Sequence, residues 1–201
     1  MSMALNLIMG ARNDAKTERD ENDFYATHPD AVKDFLKGLE DYNDGLTCNK
    51  ILEPCAGNGH ISEVFKEKGY EVLSWDLVQR EYPLDRVGDF LTYDGPQVDA
   101  DVVTNPPFKL ALEFVNKSLD VVTDGRRVCM FLKVQFLEGG KRWERLFSKK
   151  CMKYVYVNVR RQNTARQGKF ELYGEGSKTQ CYCWFVFEKG FEGEPTVRWI
   201  K

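Results

Sequence analysis

The residues best suited to chemistry are Asn105-Pro106-Pro107-Phe108, which directly follow the apolar run Asp101 to Thr104. Two prolines in succession fix φ and remove two backbone donors, leaving a stiff segment whose carbonyls are free to accept hydrogen bonds. Stiffness of this kind suits an exocyclic amine on an aromatic ring, a poor nucleophile because its lone pair is delocalised into the ring. If Asn105 Oδ1 and the Pro106 carbonyl each accept one amine hydrogen, the nitrogen can move towards tetrahedral geometry and aim its lone pair at an electrophilic carbon. Phe108 would stack on the base, a contact worth about 1–3 kcal/mol for flipped or single-stranded bases. Alone, the tetrapeptide reads equally well as a rigid turn; its place after a strand, downstream of a glycine loop, favours the chemical reading.

That glycine loop lies in ILEPCAGNGH, residues 51 to 60. A strand ending at Glu53, a turn holding Gly57 and Gly59 and a helix start would let the backbone approach a ligand closely and offer free amide donors. The third position of a GxGxxG dinucleotide fingerprint is Ser62 here, and Glu53 beside the loop would repel a phosphate but suit an ammonium group. Asp76, which closes the next strand, is placed to accept ribose hydroxyls. Asp89 in Gly88-Asp89-Phe90 is placed to accept from an adenine amino group. Together these positions describe a ligand with an amino acid end, a ribose and an adenine.

The elements that must hold these residues alternate between short apolar strands and amphipathic helices. After His28, Pro29 opens a helix with Ala31, Val32, Phe35, Leu36 and Leu39 at helical spacing. Strands are predicted over Lys50 to Glu53, Glu71 to Trp75, Asp101 to Thr104, Arg127 to Val134, Lys153 to Val159 and Cys181 to Glu188, with short candidates at Arg86 to Gly88 and Thr196 to Ile200. Helices are predicted over Gly59 to Lys68, Ala111 to Val122 and about Lys141 to Lys149. The alternation predicts an α/β fold with a mostly parallel sheet covered on both faces, binding ligands at the carboxyl ends of its strands. Residues 1 to 22 read as a mobile arm and 23 to 201 as one domain. Residues 160 to 180 form a long basic loop that is a candidate substrate contact.

With 42% hydrophobic and 30% charged residues, the chain has the balance of a soluble globular protein. No apolar run is long enough to span a bilayer and no signal peptide is read at the N-terminus, so a cytoplasmic protein without a membrane partner is expected. Six cysteines without a CxxC pair or a histidine cluster indicate neither a disulfide framework nor a metal. Cys181 and Cys183 are expected to share one face of a strand and to pack. The net charge of −2 hides an asymmetry. Residues 1 to 125 carry 12 Lys/Arg against 24 Asp/Glu, whereas residues 126 to 178 carry 14 against 4, a net of +10. Such an excess marks either a phosphate-facing surface or a solvated basic face.

The segments DFYATHP (23–29), EPCAGNG (53–59), Asp76, GDF (88–90), NPPF (105–108) and CWFVFEKG (183–190), in that order, resemble the amino-methyltransferase branch of the class I S-adenosylmethionine-dependent methyltransferases. Phage and prophage DNA N6-adenine methyltransferases are the members they resemble most. The resemblance implies a Rossmann-like sheet of seven strands with an antiparallel C-terminal strand. It implies S-adenosylmethionine as cofactor, held by Phe24, Tyr25 and Thr27, by Glu53, Cys55, Ala56, Gly57 and Gly59, by Asp76, and by Asp89 and Phe90. It also implies adenine N6 in DNA as the acceptor, with Asn105, Pro106, Pro107 and Phe108 catalytic. Cys183-Trp184-Phe185 resembles the strand beside the target base, which leaves Trp184 open between a second stacking residue and a core residue. Where the family has Thr-Pro, this chain has Thr27-His28-Pro29, leaving open which residue faces the cofactor. There is no separate recognition domain, so Arg160, Arg161, Arg166 and Lys169, with Lys141, Arg142, Arg145, Lys149 and Lys150, are the basic residues available to contact DNA. An RNA base, a protein glutamine amide and a role as a non-catalytic binder are the alternative readings.

Overall fold

The computed structural model describes residues 25–160, 162, 164–166 and 181–201. The N-terminal arm, Phe24, Arg161, Lys169 and most of the 160–180 loop lie outside them.

Each central strand is buried on both faces, and its side chains divide with period two between two cores. On β6 (Arg127–Lys133), Val128, Met130 and Leu132 enter one core, and Cys129 and Phe131 enter the other. On β9 (Tyr182–Glu188) the split is Cys183, Phe185 and Phe187 against Tyr182, Trp184 and Val186. The second core is roofed by α1 (Pro29–Asp41), through Ala31, Val32, Phe35, Leu36 and Leu39, and by α2 (His60–Glu67), through Ile61, Val64 and Phe65. The first is roofed by α3 (Ala111–Val121), through Phe114, Val115 and Val121.

The remaining strands of the main sheet are β2 (Lys50–Glu53), β3 (Glu71–Asp76), β4 (Arg86–Val87), β5 (Asp101–Thr104), β7 (Met152–Asn158) and β10 (Thr196–Ile200). They run in the order β10-β7-β9-β6-β5-β2-β3-β4. All neighbours are parallel except β9, which is antiparallel to both β6 and β7. The sheet therefore has eight strands rather than seven, because β10 adds a parallel edge beside β7. It is held there by Ile200, buried beneath α1, where a Cβ built on Gly38 would lie 3.1 Å from Ile200 Cγ1. Arg198 reinforces it through Nε, which donates to the buried Asp44 carboxylate at 3.1 Å.

A second, two-stranded sheet pairs β1 (Tyr25–Thr27) with β8 (Thr164–Arg166), antiparallel, with Thr27 opposite Thr164. Part of the predicted loop at 160–180 is thus a strand, and it attaches that segment to the N-terminal segment. The helix predicted from Lys141 is shorter than expected: α4 spans Gly140–Arg145 and a 3₁₀ turn follows at Phe147–Lys149.

Candidate functional site

The order of winding reverses between β5 and β2, the two parallel strands from which successive crossovers run outwards, and a cleft of about 420 Å³ opens at their carboxyl ends. It is lined by the segments that follow β2, β3, β4 and β5, and by Ala26 and Thr27 of β1. Residues more than 75 positions apart in sequence therefore meet in one cavity.

Glu53 ends β2 only 1% exposed, and the Ser62 hydroxyl on α2 donates to its carboxylate. Burial pushes its carboxyl well above the ordinary glutamate range, with Asp76 adding repulsion and Ser62 opposing the shift. Beyond it, Pro54, Cys55 and Ala56 line the cleft. Gly57 and Gly59 do not line it. Gly57, at φ 56°, donates its N–H to Asp76 Oδ2 at 2.8 Å, which ties the loop to the end of β3. At Gly59, φ is 77°, and an added Cβ would lie 2.2 Å from Tyr82 Cδ2. The missing side chain at Gly59 thus makes room for the Tyr82 ring.

Asp76 lines the cleft with both oxygens engaged, since Oδ1 also accepts from Val78 N at 3.0 Å and Arg80 Nη1 at 3.1 Å. Three donors on a carboxylate with about four lone-pair sites leave room for another. Asp89 is exposed at the cleft and caps a 3₁₀ turn by accepting from Leu91 N at 2.9 Å. Phe90 is buried beneath it, stacked on Phe114 at 5.9 Å.

Asn105, Pro106, Pro107 and Phe108 leave β5 and line the same cleft. Phe108 is half-buried, 5.9 Å from the Tyr182 ring, with Lys133 Nζ 4.8 Å from its centroid. Trp184 is not at this site. It is fully buried, stacked on Phe35 at 4.4 Å, and its Nε1 donates to the Ala31 carbonyl at 3.2 Å. Strand alternation puts Tyr182 and Trp184 on one face, but Tyr182 stands nearer the sheet edge, so it reaches Phe108 while Trp184 packs two residues deeper.

At Thr27-His28-Pro29 the side chains take different places. Thr27 lines the cleft with its hydroxyl oxygen buried and lacking a hydrogen-bond partner among the described residues, whereas His28 caps α1 by accepting from Asp30 N at 3.2 Å. Tyr25 is described only through its strand backbone. Sequence reasoning missed His60, Leu77, Val78, Arg80 and Leu91, all of which line the cleft. Burial, aided by the neighbouring His28, holds the His60 imidazole below its ordinary pKa. A signal for the apolar pair existed: Leu77 and Val78 directly follow the strand-end acid and are 56% and 36% exposed.

The basic residues divide. Arg160 is exposed just past β7, at the same sheet edge as the cleft, and Arg166 belongs to β8. Arg142 is turned inward, donating to the Gln135 carbonyl at 3.2 Å and to the Glu138 carbonyl at 2.5 Å, which removes it from the set facing outward. Arg145 lies 3.7 Å from Glu113 and Lys150 2.8 Å from Glu194, both in exposed pairs. Lys149 donates to Asn116 at 3.2 Å. The two nearby cysteines also divide, Cys183 being buried and Cys181 exposed.

No family model and no curated protein matches the chain. Solved structures do. A candidate RNA methyltransferase of Pyrococcus horikoshii aligns over 88% of this chain and 91% of its own, with a TM-score of 0.59 and 17% identity. The M protein of the type I restriction enzyme EcoKI aligns over 86% of this chain and 45% of its own, with a TM-score of 0.58 and 17% identity. A candidate class I S-adenosylmethionine-dependent methyltransferase of Listeria monocytogenes aligns over 85% and 73%, with a TM-score of 0.52 and 10% identity. The chain has the Rossmann-like fold of the class I S-adenosylmethionine-dependent methyltransferases.

Proposed function

We propose that this protein transfers a methyl group from S-adenosylmethionine to the exocyclic N6 of adenine in DNA. The observation that carries the reading is that Glu53, Asp76, Asp89 and the Asn105 to Phe108 segment line one cleft. The acids and the amine-orienting loop were separate inferences from sequence, and a single cavity joins them.

The residues present fit the cofactor. Glu53 is a buried acid suited to an ammonium, Asp76 retains acceptor capacity for ribose hydroxyls, and the buried Thr27 hydroxyl seeks a partner. Leu77, Val78 and Phe90 offer apolar surface for an adenine, with Asp89 at its edge. When bound, S-adenosylmethionine supplies an electrophilic methyl group on a sulfonium. The chain's own part is to orient the acceptor. Asn105 Oδ1 and the Pro106 carbonyl take one amine hydrogen each, which directs the lone pair, and Phe108 holds the base plane. A base drawn from a duplex costs a few kcal/mol to unstack, and the surplus of positive charge in residues 126 to 178 supplies phosphate contacts to offset it. His60, held towards its neutral form by burial, adds no charge to repel the cationic cofactor.

The M protein of EcoKI supports a DNA target and the Pyrococcus protein an RNA one, while the resemblance of the C-terminal segment favours DNA. The test is tritium transfer from labelled cofactor to adenine-containing DNA, RNA and protein, alongside Asn105→Ala. The expected result is label in DNA adenine, lost in the variant while cofactor binding persists. Label in RNA alone overturns the DNA assignment, and tight cofactor binding without transfer to any acceptor overturns the enzyme.

A further inference from the structure

We propose that Trp143 stacks on a base of the bound strand, making α4 a nucleic-acid docking rim. The inference rests on the reading of the protein as a nucleic-acid methyltransferase. Trp143 is 64% exposed, the most exposed large apolar side chain among the described residues. A flat indole left open to water offers a face on which a base can stack.

Its position follows from the chain path. Strand β6 ends at Lys133, whose ammonium lies 4.8 Å from the Phe108 ring centroid, and Leu137, 42% exposed, follows before α4. On α4, Arg145 reaches Glu113 in the first turn of α3, the helix that begins three residues after Phe108. Lys133, Leu137 and Trp143 therefore follow one another along the segment that leaves the end of β6, where Lys133 meets Phe108.

The segment is held rigidly. Phe136 and Leu146 are buried on either side of α4, Phe136 against Phe147 and Phe185, and the Arg142 guanidinium lies 5.4 Å from the Phe136 ring while binding the Gln135 carbonyl. With Arg142 and Leu146 committed inward, Trp143 is left outward on a fixed base. Preorganisation of this kind lowers the cost of binding.

Charge selects the occupant. Leaving out the inward Arg142, residues 133 to 150 hold five Lys/Arg and two Asp/Glu. A flat aromatic ring among cations suits a polyanion that also exposes π faces, since phosphates answer the charge and any base can stack. The exposed pairs Arg145–Glu113 and Lys150–Glu194 hold their cations loosely enough to be exchanged for phosphates.

The four tryptophans permit a direct test. Trp75 and Trp184 are buried and Trp199 stands on β10, at the far edge of the sheet, so Trp199→Phe leaves Trp143 as the one exposed indole. In that background, an adenine-containing oligonucleotide should quench the fluorescence, and the quench should vanish when Trp143→Phe is added. In the otherwise unaltered protein, Trp143→Ala should raise the oligonucleotide KM roughly tenfold to a hundredfold, the span of one base–aromatic stack. Its kcat at saturating target and its affinity for S-adenosylhomocysteine should not change, and Trp143→Phe should recover most of the loss. An unchanged KM in Trp143→Ala, or a quench that survives without Trp143, overturns the proposal. If the unaltered protein binds and methylates no nucleic acid, the functional reading itself fails, and a protein acceptor would then account for the exposed ring.

Discussion

Replacing Glu53 by glutamine should make the ligand-free protein more stable and the cofactor complex weaker. The side chain is 1% exposed, and Ser62 is its one hydrogen-bonding partner among the described residues. Above the ordinary glutamate range folding must either bury an under-compensated charge, at about 1–3 kcal/mol or more, or hold a proton that the unfolded chain has lost, and glutamine keeps the shape without either cost. In the complex the sign reverses, because the ligand ammonium compensates the carboxylate. Removing one member of a buried, hydrogen-bonded charge pair costs about 2–5 kcal/mol. Water can enter this open cleft, so the lower part of that range applies, about 2–3 kcal/mol or roughly 30- to 150-fold in Kd. The pH dependence is opposite for the two quantities. Since folding raises the Glu53 pKa, the native state holds a proton that the unfolded chain has lost. Stability is full below the ordinary glutamate range and is lost as pH rises through the raised native value. Binding an ammonium needs the carboxylate, so affinity falls as pH drops through that same value. Titration calorimetry with S-adenosylhomocysteine and urea unfolding without ligand, each repeated across pH for both proteins, measure the two effects. Equal affinity in Glu53→Gln, or the same pH slope in both proteins, would refute the argument.

Other sites test the scaffold and the surface. Gly59→Ala should destabilise by about 1–2 kcal/mol from its left-handed backbone alone, and by more because the new methyl meets the Tyr82 ring; Tyr82→Ala should relieve that excess in a double-mutant cycle read by urea unfolding. Trp184→Ala should cost about 3–5 kcal/mol of stability as a core truncation, while the folded fraction retains its target KM, contrary to a stacking role. Arg160→Glu should flatten the dependence of oligonucleotide affinity on salt, with log Kd plotted against log salt falling in slope by about one or more; an unaltered slope would place the phosphates elsewhere.

Some assignments needed only local information. Asn105-Pro106-Pro107-Phe108 is stiff because proline is stiff, whatever surrounds it, and Lys50 to Glu53 and Asp101 to Thr104 are strands because their apolar character and flanks admit little else. The helical spacing after Pro29 likewise identified the five apolar positions that α1 buries. Depth and partnership depend on how segments distant in sequence meet. Trp184 packs on Phe35 because α1 crosses the sheet there, and Gly59 is occupied by Tyr82 because the chain after β3 folds back over α2. The two cores also decide that β10 forms an eighth strand, since Ile200 needs the shelter of α1. Pattern along a chain records which face a side chain takes, because backbone geometry imposes the period. Whether that face meets solvent, a ligand or another helix is set by contacts that close only when the sheet assembles, and only there did Glu53, Asp76 and Asp89 come to line one cleft with Asn105.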